Sequence, residues 1–325
     1  MTAPNPVHDL LAVGANPAID RYYCLDDLRL GEINRVRSVR AAPGGKANNL
    51  ARAYRRFGGS PLTTGIAAGE TGRSILDGLT SEGIDHAYIL ADGESRQTVT
   101  IVGNGTTTVL LEPGPLVSET TIACLEAKVA ALASIVPATV VSGSLPPGAP
   151  ADTVARLVAA VRRSPDGLVA VDTSGEALRL AALSGPHVIK VNCDEYGCAF
   201  GWPATNLTAV QAHFDSLAAR GLETLCLTDG PRGALFLSAD EAFAVRTEAD
   251  DPIATAGAGD AFFAGLLFAL RRGYRLRDAA RFASAAAAAA LRRISAGFIE
   301  LSDVEIAMRH TRLHKADAFF AEPLR

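Results

Sequence analysis

Several familiar signals are missing from this sequence. Its five cysteines, Cys24, Cys124, Cys193, Cys198 and Cys226, are odd in number and widely scattered, with no CxxC pair or nearby histidine. No zinc site is expected from them, and a reduced, cytoplasmic chain is the simplest account. No apolar run approaches the roughly 20 residues that cross a bilayer. The longest, 261–270 and the alanine-rich 285–291, read as buried helices, so no membrane contact is expected. Residues 1–10 carry no basic cluster ahead of an apolar core, and no export signal is expected; the sequons at Asn104 and Asn206 then carry no weight. Positive charge is not in excess either. With 31 Lys and Arg against 35 Asp and Glu, the net charge is -4, so no global field draws in nucleic acid or anionic lipid, and any anion needs a local site. Aromatics are only 6% of the chain, and Trp202, Phe262, Phe263 and Phe268 read as core packing rather than stacking platforms for bases. No internal repeat of 20–50 residues is visible.

What is present is the composition of a soluble globular protein: 48% hydrophobic, 20% charged, 30 glycines in 325 residues. That is one large domain, or a domain with an appendage. Short β-rich runs alternate with helical periodicity, which predicts an α/β fold with a mainly parallel, doubly wound sheet flanked by helices. The expected core strands are 11–15, 62–67, 139–142, 168–172, 188–191 and 224–228, most of them too apolar to have a wet face. Val154, Leu157, Val158 and Val161 repeat with helical spacing, as do Leu50, Tyr54 and Phe57 ahead of Gly58, a helix stop. Two segments break the rhythm. Residues 22–40 are polar and β-leaning, and 97–111 read as two strands around Asn104-Gly105, a type I′ turn signal. They predict a small antiparallel β-lid built from about 18–42 and 95–113, within a single domain spanning 1–325.

Chemistry concentrates in the glycine-rich string Thr255-Ala256-Gly257-Ala258-Gly259-Asp260 ahead of an apolar helix. Glycines let backbone N–H groups converge, and a helix start adds partial positive charge, so an anion can be held there. Asp260 faces that anion site as an acceptor for the proton of a hydroxyl attacking a phosphoryl group; at a helix start it would be a weak base that mainly aligns the hydroxyl. Alone, the string is equally a glycine turn with Asp260 as a cap. A second glycine-rich turn, Pro43-Gly44-Gly45-Lys46-Ala47-Asn48-Asn49, also opens a helix but lacks the Walker A spacing, which disfavours a P-loop ATPase.

In combination these motifs resemble the ribokinase-like (PfkB) carbohydrate kinase family, in its phosphofructokinase and tagatose-6-phosphate kinase branch. The resemblance runs nearly end to end, through Asn16-Pro17-Ala18-Ile19-Asp20, the 43–49 loop, Ser142 to Gly148, Asp172 to Leu178, Lys190 to Glu195, Thr228 to Gly233 and the 257–260 loop. It implies an ATP-dependent, Mg²⁺-requiring sugar kinase acting on a ketohexose phosphate such as fructose 1-phosphate, fructose 6-phosphate or tagatose 6-phosphate. Asp260 is then the base, with the Ala258, Gly259 and Asp260 amides that follow Gly257 as the anion hole. Asp20, Asn49 and Gly45 bind sugar hydroxyls, while Lys46, Arg96 and Ser144 hold the sugar's phosphate. Lys190, Asn192, Thr228, Gly230 and Gly233 form the ATP side, and Asn192 with Glu195 organises Mg²⁺ through water. An Asn-x-x-Glu string is also a helix capping box. The resemblance further implies a homodimer through the lid.

The sequence departs from the family pattern at several points. Val109, Leu110 and Leu111 precede Glu112-Pro113-Gly114 where sugar-phosphate kinases often carry a basic residue and an Asn; Arg35 and Arg37, on one face of a predicted lid strand, could compensate. Asn48 replaces an apolar residue, Ala47 a glycine, and Asp229 adds a negative charge beside the nucleotide. Two other readings therefore stay open: a kinase of an unphosphorylated sugar or nucleoside, and a non-catalytic sugar or nucleotide sensor. His310 and His314 have i, i+4 spacing but no partner carboxylate motif, and predict a surface helix rather than a metal site. Arg271, Arg272, Arg275 and Arg277 read as a solvated helix end.

Overall fold

Strand and helix propensities resolve into two sheets of very different size. The computed structural model describes residues 7–163, 167–201, 204–248 and 256–321; Trp202 and Thr255 lie outside them. The chain opens with β1 (Leu10–Gly14), leaves the main sheet through β2 (Ala18–Cys24) and β3 (Ser38–Gly44), and returns through α1 (Lys46–Arg56) to β4 (Pro61–Ala68). After α2 (Gly69–Ser81) come short strands β5 (Asp85–His86) and β6 (Ile89–Ala91), then a second excursion, β7 (Arg96–Gly103) and β8 (Thr106–Leu111). From α3 (Glu119–Ala133) the elements alternate: β9 (Ala138–Ser142), α4 (Thr153–Val161), β10 (Leu168–Asp172), α5 (Gly175–Leu183), β11 (Val188–Asn192), α6 (Cys193–Phe200). Helix α7 (Leu207–Ala218) leads to β12 (Thr224–Thr228), β13 (Ala234–Ser238) and β14 (Ala242–Thr247). The chain continues with α8 (Ala258–Arg271), α9 (Leu276–Ala290), α10 (Leu301–Arg309) and β15 (Thr311–Lys315).

The main sheet runs β15-β14-β13-β12-β11-β10-β9-β1-β4-β5, with β6 also on β4. Pairing is parallel from β12 to β5 and antiparallel among β12–β15. Every residue of β1 is buried, as expected for a strand covered on both faces. Alternation sorts its side chains: Leu10 and Ala12 pack with α1, α8 and α9, while Leu11 and Val13 pack with α3 and α4. The predicted helices carry their apolar stripes as expected. Val154, Leu157, Val158 and Val161 are buried on α4, and Leu50 and Tyr54 on α1. The two long apolar runs are α8 and α9, which pack closely because a Cβ on Gly265 would come within 3.1 Å of the Ala286 methyl. Phe262 and Phe263 are core residues, and Phe268 meets Tyr54 edge-on.

The small sheet has the order β3-β2-β7-β8. Its two outer pairings are antiparallel and β2–β7 is parallel, with Asp20 opposite Thr98. The β7–β8 hairpin turns at Asn104 and Gly105, both with positive φ (47° and 71°), as a type I′ turn requires.

Two expectations need correction. Residues 25–37 are not strand: the Asn34 side chain accepts from the Arg29 amide at 2.9 Å and donates to the Arg29 carbonyl at 2.8 Å, a local closure that competes with a ladder. Arg35 and Arg37 are therefore loop residues rather than neighbours on a strand face, and Arg37 pairs with Asp26. His310 and His314 do not share a helix, because α10 ends at Arg309 and His314 lies on β15 opposite Ala244. The basic run at 271–277 is exposed. All five cysteines are free. Among the described residues no helix is long and apolar enough to cross a membrane.

Candidate active site

Strand order reverses at β1, which has β4 on one side and β9 on the other. A crevice forms where such a reversal occurs, at the carboxyl ends of the strands. The quoted motifs converge on those ends: Asn16 just beyond β1, Ser142 on β9, Asp172 on β10, Asn192 on β11, Thr228 on β12. The small sheet rises beside them because β2 and β3 interrupt the connection from β1 to α1.

Asp20, on β2, is buried. The Asn49 side-chain amide donates to its Oδ2 at 3.3 Å, and the nearby Gly45 backbone amide favours its ionised form. Gly44 is obligatory there, since a Cβ would fall on the Asp20 carboxyl. Burial pushes the Asp20 carboxyl above its ordinary range, against the pull of Asn49, Arg52 and Arg96. The Asn49 amide also favours the ionised form of Asp260. One amide thus acts on two carboxylates from distant parts of the chain.

Asp260 lies in the first turn of α8 and is buried. Gly257 caps the helix at φ 82°, in the left-handed region, and a Cβ there would collide with Ala296. The amides of Ala258, Gly259 and Asp260 are free of intrahelical partners by the geometry of a helix start. The helix-start expectation of an ordinary, weak carboxylate does not hold. Burial, with the Asp172 charge adding to it, pushes the Asp260 carboxyl up to about 7, against Lys46, Lys190 and Asn49. Desolvation outweighs the helix end.

Beneath this lies a charge cluster. The fully buried Asp172 receives Lys190 Nζ at 3.1 Å on Oδ2 and Lys46 Nζ at 2.9 Å on Oδ1. Burial raises the Asp172 carboxyl, but the two lysines together outweigh it and hold it below its usual range. Lys46 also reaches Glu195 Oε1 at 3.4 Å. Lys190 stands under the α8 start, where a Cβ on Gly259 would come within 3.0 Å of its ammonium. Asn192 and Glu195 form a capping box on α6: Asn192 Oδ1 accepts from the Glu195 amide at 2.8 Å, and Glu195 Oε2 from the Asn192 amide at 3.2 Å.

Arg96 is half-buried at the base of the small sheet, its Nε donating to the Asn16 carbonyl at 3.2 Å. Ser144 is exposed on the loop after β9. Thr228, Gly230 and Gly233 line a cleft of about 470 Å³ together with Gly259, Phe262 and Leu291. The end of β12, the turn that follows it and the start of α8 therefore share one cleft. Asp229 is held by Arg232 at 2.6 Å, which neutralises its charge. Asn48 is structural: it accepts from Tyr88 Oη at 2.7 Å and donates to the Gly44 carbonyl at 3.0 Å. Register puts Val109 and Leu111 opposite Thr100 and Thr98, on the sheet face that carries Asp20.

Sequence reading missed Arg52. Its side chain is 3% exposed and its N–H groups serve Asn49 Oδ1 at 3.0 Å, the Ala296 carbonyl at 3.1 Å, both Glu82 oxygens and the Pro43 carbonyl. It fixes which way the Asn49 amide points and ties that amide to the segment packed on Gly257. The available signal was an arginine three residues after Asn49 and four after Asn48, on a polar face of α1 that the fold buries. Asp172 was quoted in a motif but given no role; only the fold brings Lys46 and Lys190 to it.

Residues 7–302 match the model of the pfkB family carbohydrate kinase. Among solved structures, phosphofructokinase-2 from Escherichia coli in complex with potassium is similar over 93% of this chain and 98% of its own, at 25% identity and a TM-score of 0.85. The same enzyme in complex with fructose-6-phosphate matches over the same shares at 25% identity with a TM-score of 0.83. A possible 1-phosphofructokinase from Thermotoga maritima shares the fold at 24% identity and a TM-score of 0.87, over 95% of this chain and 99% of that one. With the family model spanning most of its length and its motifs gathered at one crevice, the chain belongs to the pfkB carbohydrate kinases, phosphotransferases that use ATP to phosphorylate a sugar hydroxyl.

Proposed function

We propose that this kinase acts on a ketohexose phosphate, with Asp260 as the base that takes the proton of the attacking hydroxyl. The observation that carries the reading is the Asn49 amide that donates to Asp20 and lowers the proton affinity of the buried Asp260 at the start of α8. A sugar gripped by Asp20, Asn49 and the Gly45 backbone presents a hydroxyl beside Asp260. The helix-start amides of Ala258, Gly259 and Asp260 receive the charge of the transferring phosphoryl group. A carboxyl with a proton affinity near neutrality is well matched to accept that proton. Lys190 steadies the same anion site from below. Thr228, Gly230 and Gly233 flank the nucleotide.

Asn192 and Glu195 offer oxygen donors at a half-buried helix start, a donor set that suits hydrated Mg²⁺. Bound there, the ion would neutralise nucleotide phosphate charge. The sugar's own phosphate falls to Arg96, Lys46 and Ser144. The small sheet acts as a lid within a single domain, excluding water so that ATP is not hydrolysed. Its edge strands leave Val39 49% and Leu110 57% exposed, and we read this surface as the contact of a homodimer in a cytoplasmic enzyme; light scattering on the purified protein tests the dimer. E. coli phosphofructokinase-2 is described in a tetrameric inhibited form.

A second reading, an unphosphorylated acceptor, is favoured by Val109 and Leu111 on the site-facing side of the lid. The test is Mg²⁺-dependent ADP release across fructose 1-phosphate, fructose 6-phosphate, tagatose 6-phosphate, fructose, ribose and adenosine. Turnover with the sugar phosphates, with Arg96→Ala raising their KM, is the expected result. Turnover with neutral acceptors alone gives the second reading, and binding without turnover, unchanged by Asp260→Asn, would establish a sensor.

A further inference from the structure

Lys46 stands where two sites meet. Its stem lines a small cavity with Asn16, Gly45 and Gly143, beside the backbone that Arg96 holds through the Asn16 carbonyl. Asn16 and Ser142 line the same cavity, and Ser142 Oγ and Asn16 Oδ1 are buried without a partner among the described residues. That is the sugar side. Its ammonium, however, points the other way, to Asp172 and to Glu195 Oε1. Of its three donors, two are committed to carboxylates. Lys46, Lys190, Asp172 and Glu195 together carry no net charge, so the cluster at rest presents little attraction for a second phosphate dianion.

We propose that Lys46 is a shared cation that couples the two substrates: it holds Glu195 in the resting enzyme and is released toward the sugar's phosphate when the magnesium–nucleotide complex engages Glu195. The inference rests on the sugar-phosphate reading given above. Coupling of this kind is reciprocal. A sugar phosphate that draws Lys46 away leaves Glu195 ready for the metal, and a metal at Glu195 leaves Lys46 a donor short of a partner. Asp172 keeps Lys190 in both states, so the anion hole is undisturbed. A free sugar, with nothing for Lys46 to reach, gains nothing from the exchange.

The test is calorimetric binding, with no turnover. Fructose 1-phosphate, fructose 6-phosphate, tagatose 6-phosphate and fructose are titrated into wild type, Lys46→Met and Glu195→Gln, each with and without Mg²⁺ and the β,γ-imido analogue of ATP. Gln at position 195 still completes the capping box, and Met keeps the stem of Lys46. In wild type the nucleotide tightens sugar-phosphate binding about tenfold more than in Lys46→Met, while fructose binding responds equally in both. Glu195→Gln, which loosens the hold on Lys46, binds sugar phosphate about threefold more tightly than wild type before nucleotide is added. Equal nucleotide effects in wild type and Lys46→Met, or weaker sugar-phosphate binding by Glu195→Gln, overturn the shared-cation proposal and leave the substrate reading intact. Binding of fructose with no binding of any sugar phosphate sinks the substrate reading itself, and the coupling with it.

Discussion

The proton affinity of Asp260 sets a pH dependence that can be worked out in advance. Its carboxyl is raised from 3.8 to about 7 because burial and Asp172 outweigh Lys46, Lys190 and Asn49. As the proposed base it must be ionised, so activity should be lost as pH falls through 7. About one-tenth of the enzyme is competent at pH 6, half at pH 7 and nine-tenths at pH 8, and kcat/KM should therefore rise about tenfold between pH 6 and 8. A sugar phosphate has its own second ionisation near 6, which adds a separate limb about one unit lower. Initial rates of ADP release at subsaturating sugar phosphate separate the two. Asp172→Asn supplies the control: it removes the negative neighbour and leaves both lysine charges, so the upper limb moves to lower pH while the substrate limb stays. A flat profile from pH 6 to 8.5, or an Asp172→Asn enzyme whose limb moves up, refutes Asp260 as a base tuned by this cluster.

Other consequences follow from the same geometry. Asp260→Asn should lower kcat by about 10²–10⁴-fold and yet melt higher than wild type at pH 8. A carboxyl whose folded proton affinity is raised contributes stability that is fully present below pH 3.8 and lost as pH rises through about 7. The burden on wild type at pH 8 is therefore on the order of 4 kcal/mol, and the gap in melting temperature should narrow toward pH 5. Gly257→Ala forces a methyl against Ala296 at a left-handed φ; kcat should drop about 10²-fold with little change in the KM for ATP, measured at saturating sugar. Arg52→Met leaves Glu82 and the Pro43 and Ala296 carbonyls without their donor, a loss of about 3–5 kcal/mol by urea titration. Arg52→Lys should fold and still show a raised sugar KM, because a single ammonium cannot reproduce the fork that orients Asn49. A normal sugar KM in Arg52→Lys would make Arg52 merely structural.

Much of this protein was legible in one dimension. Apolar runs too continuous for a wet face located β1, β9, β10, β11 and β12, because burial on both faces leaves no polar alternation. Asn104-Gly105 announced its hairpin because few residue pairs accept two positive φ values in succession. The glycine loops at 43–45 and 257–259 marked places where backbone must pass close to its neighbours, Asp20 beside Gly44 and Ala296 beside Gly257. Local chemistry of this kind is set by neighbours in sequence, and the family pattern is made of it.

What needed the tertiary structure is everything that depends on which distant residues become neighbours. The asparagine knot at 29–34 displaced an expected strand, and β14 drew residues 311–315 out of an expected helix, since edge pairing rewards contacts that periodicity does not register. The antiparallel strands β13 to β15 close an edge that the βαβ rhythm did not announce. Asp260 looked like an ordinary helix-start carboxylate, and acquired a proton affinity near neutrality only because folding buries it beside Asp172. Lys46 read as a phosphate ligand, and its engagement with Asp172 and Glu195 could not be inferred from a residue 126 positions away. Charge is written in the sequence; proton affinity and partnership depend on burial and distance, which only the folded chain decides.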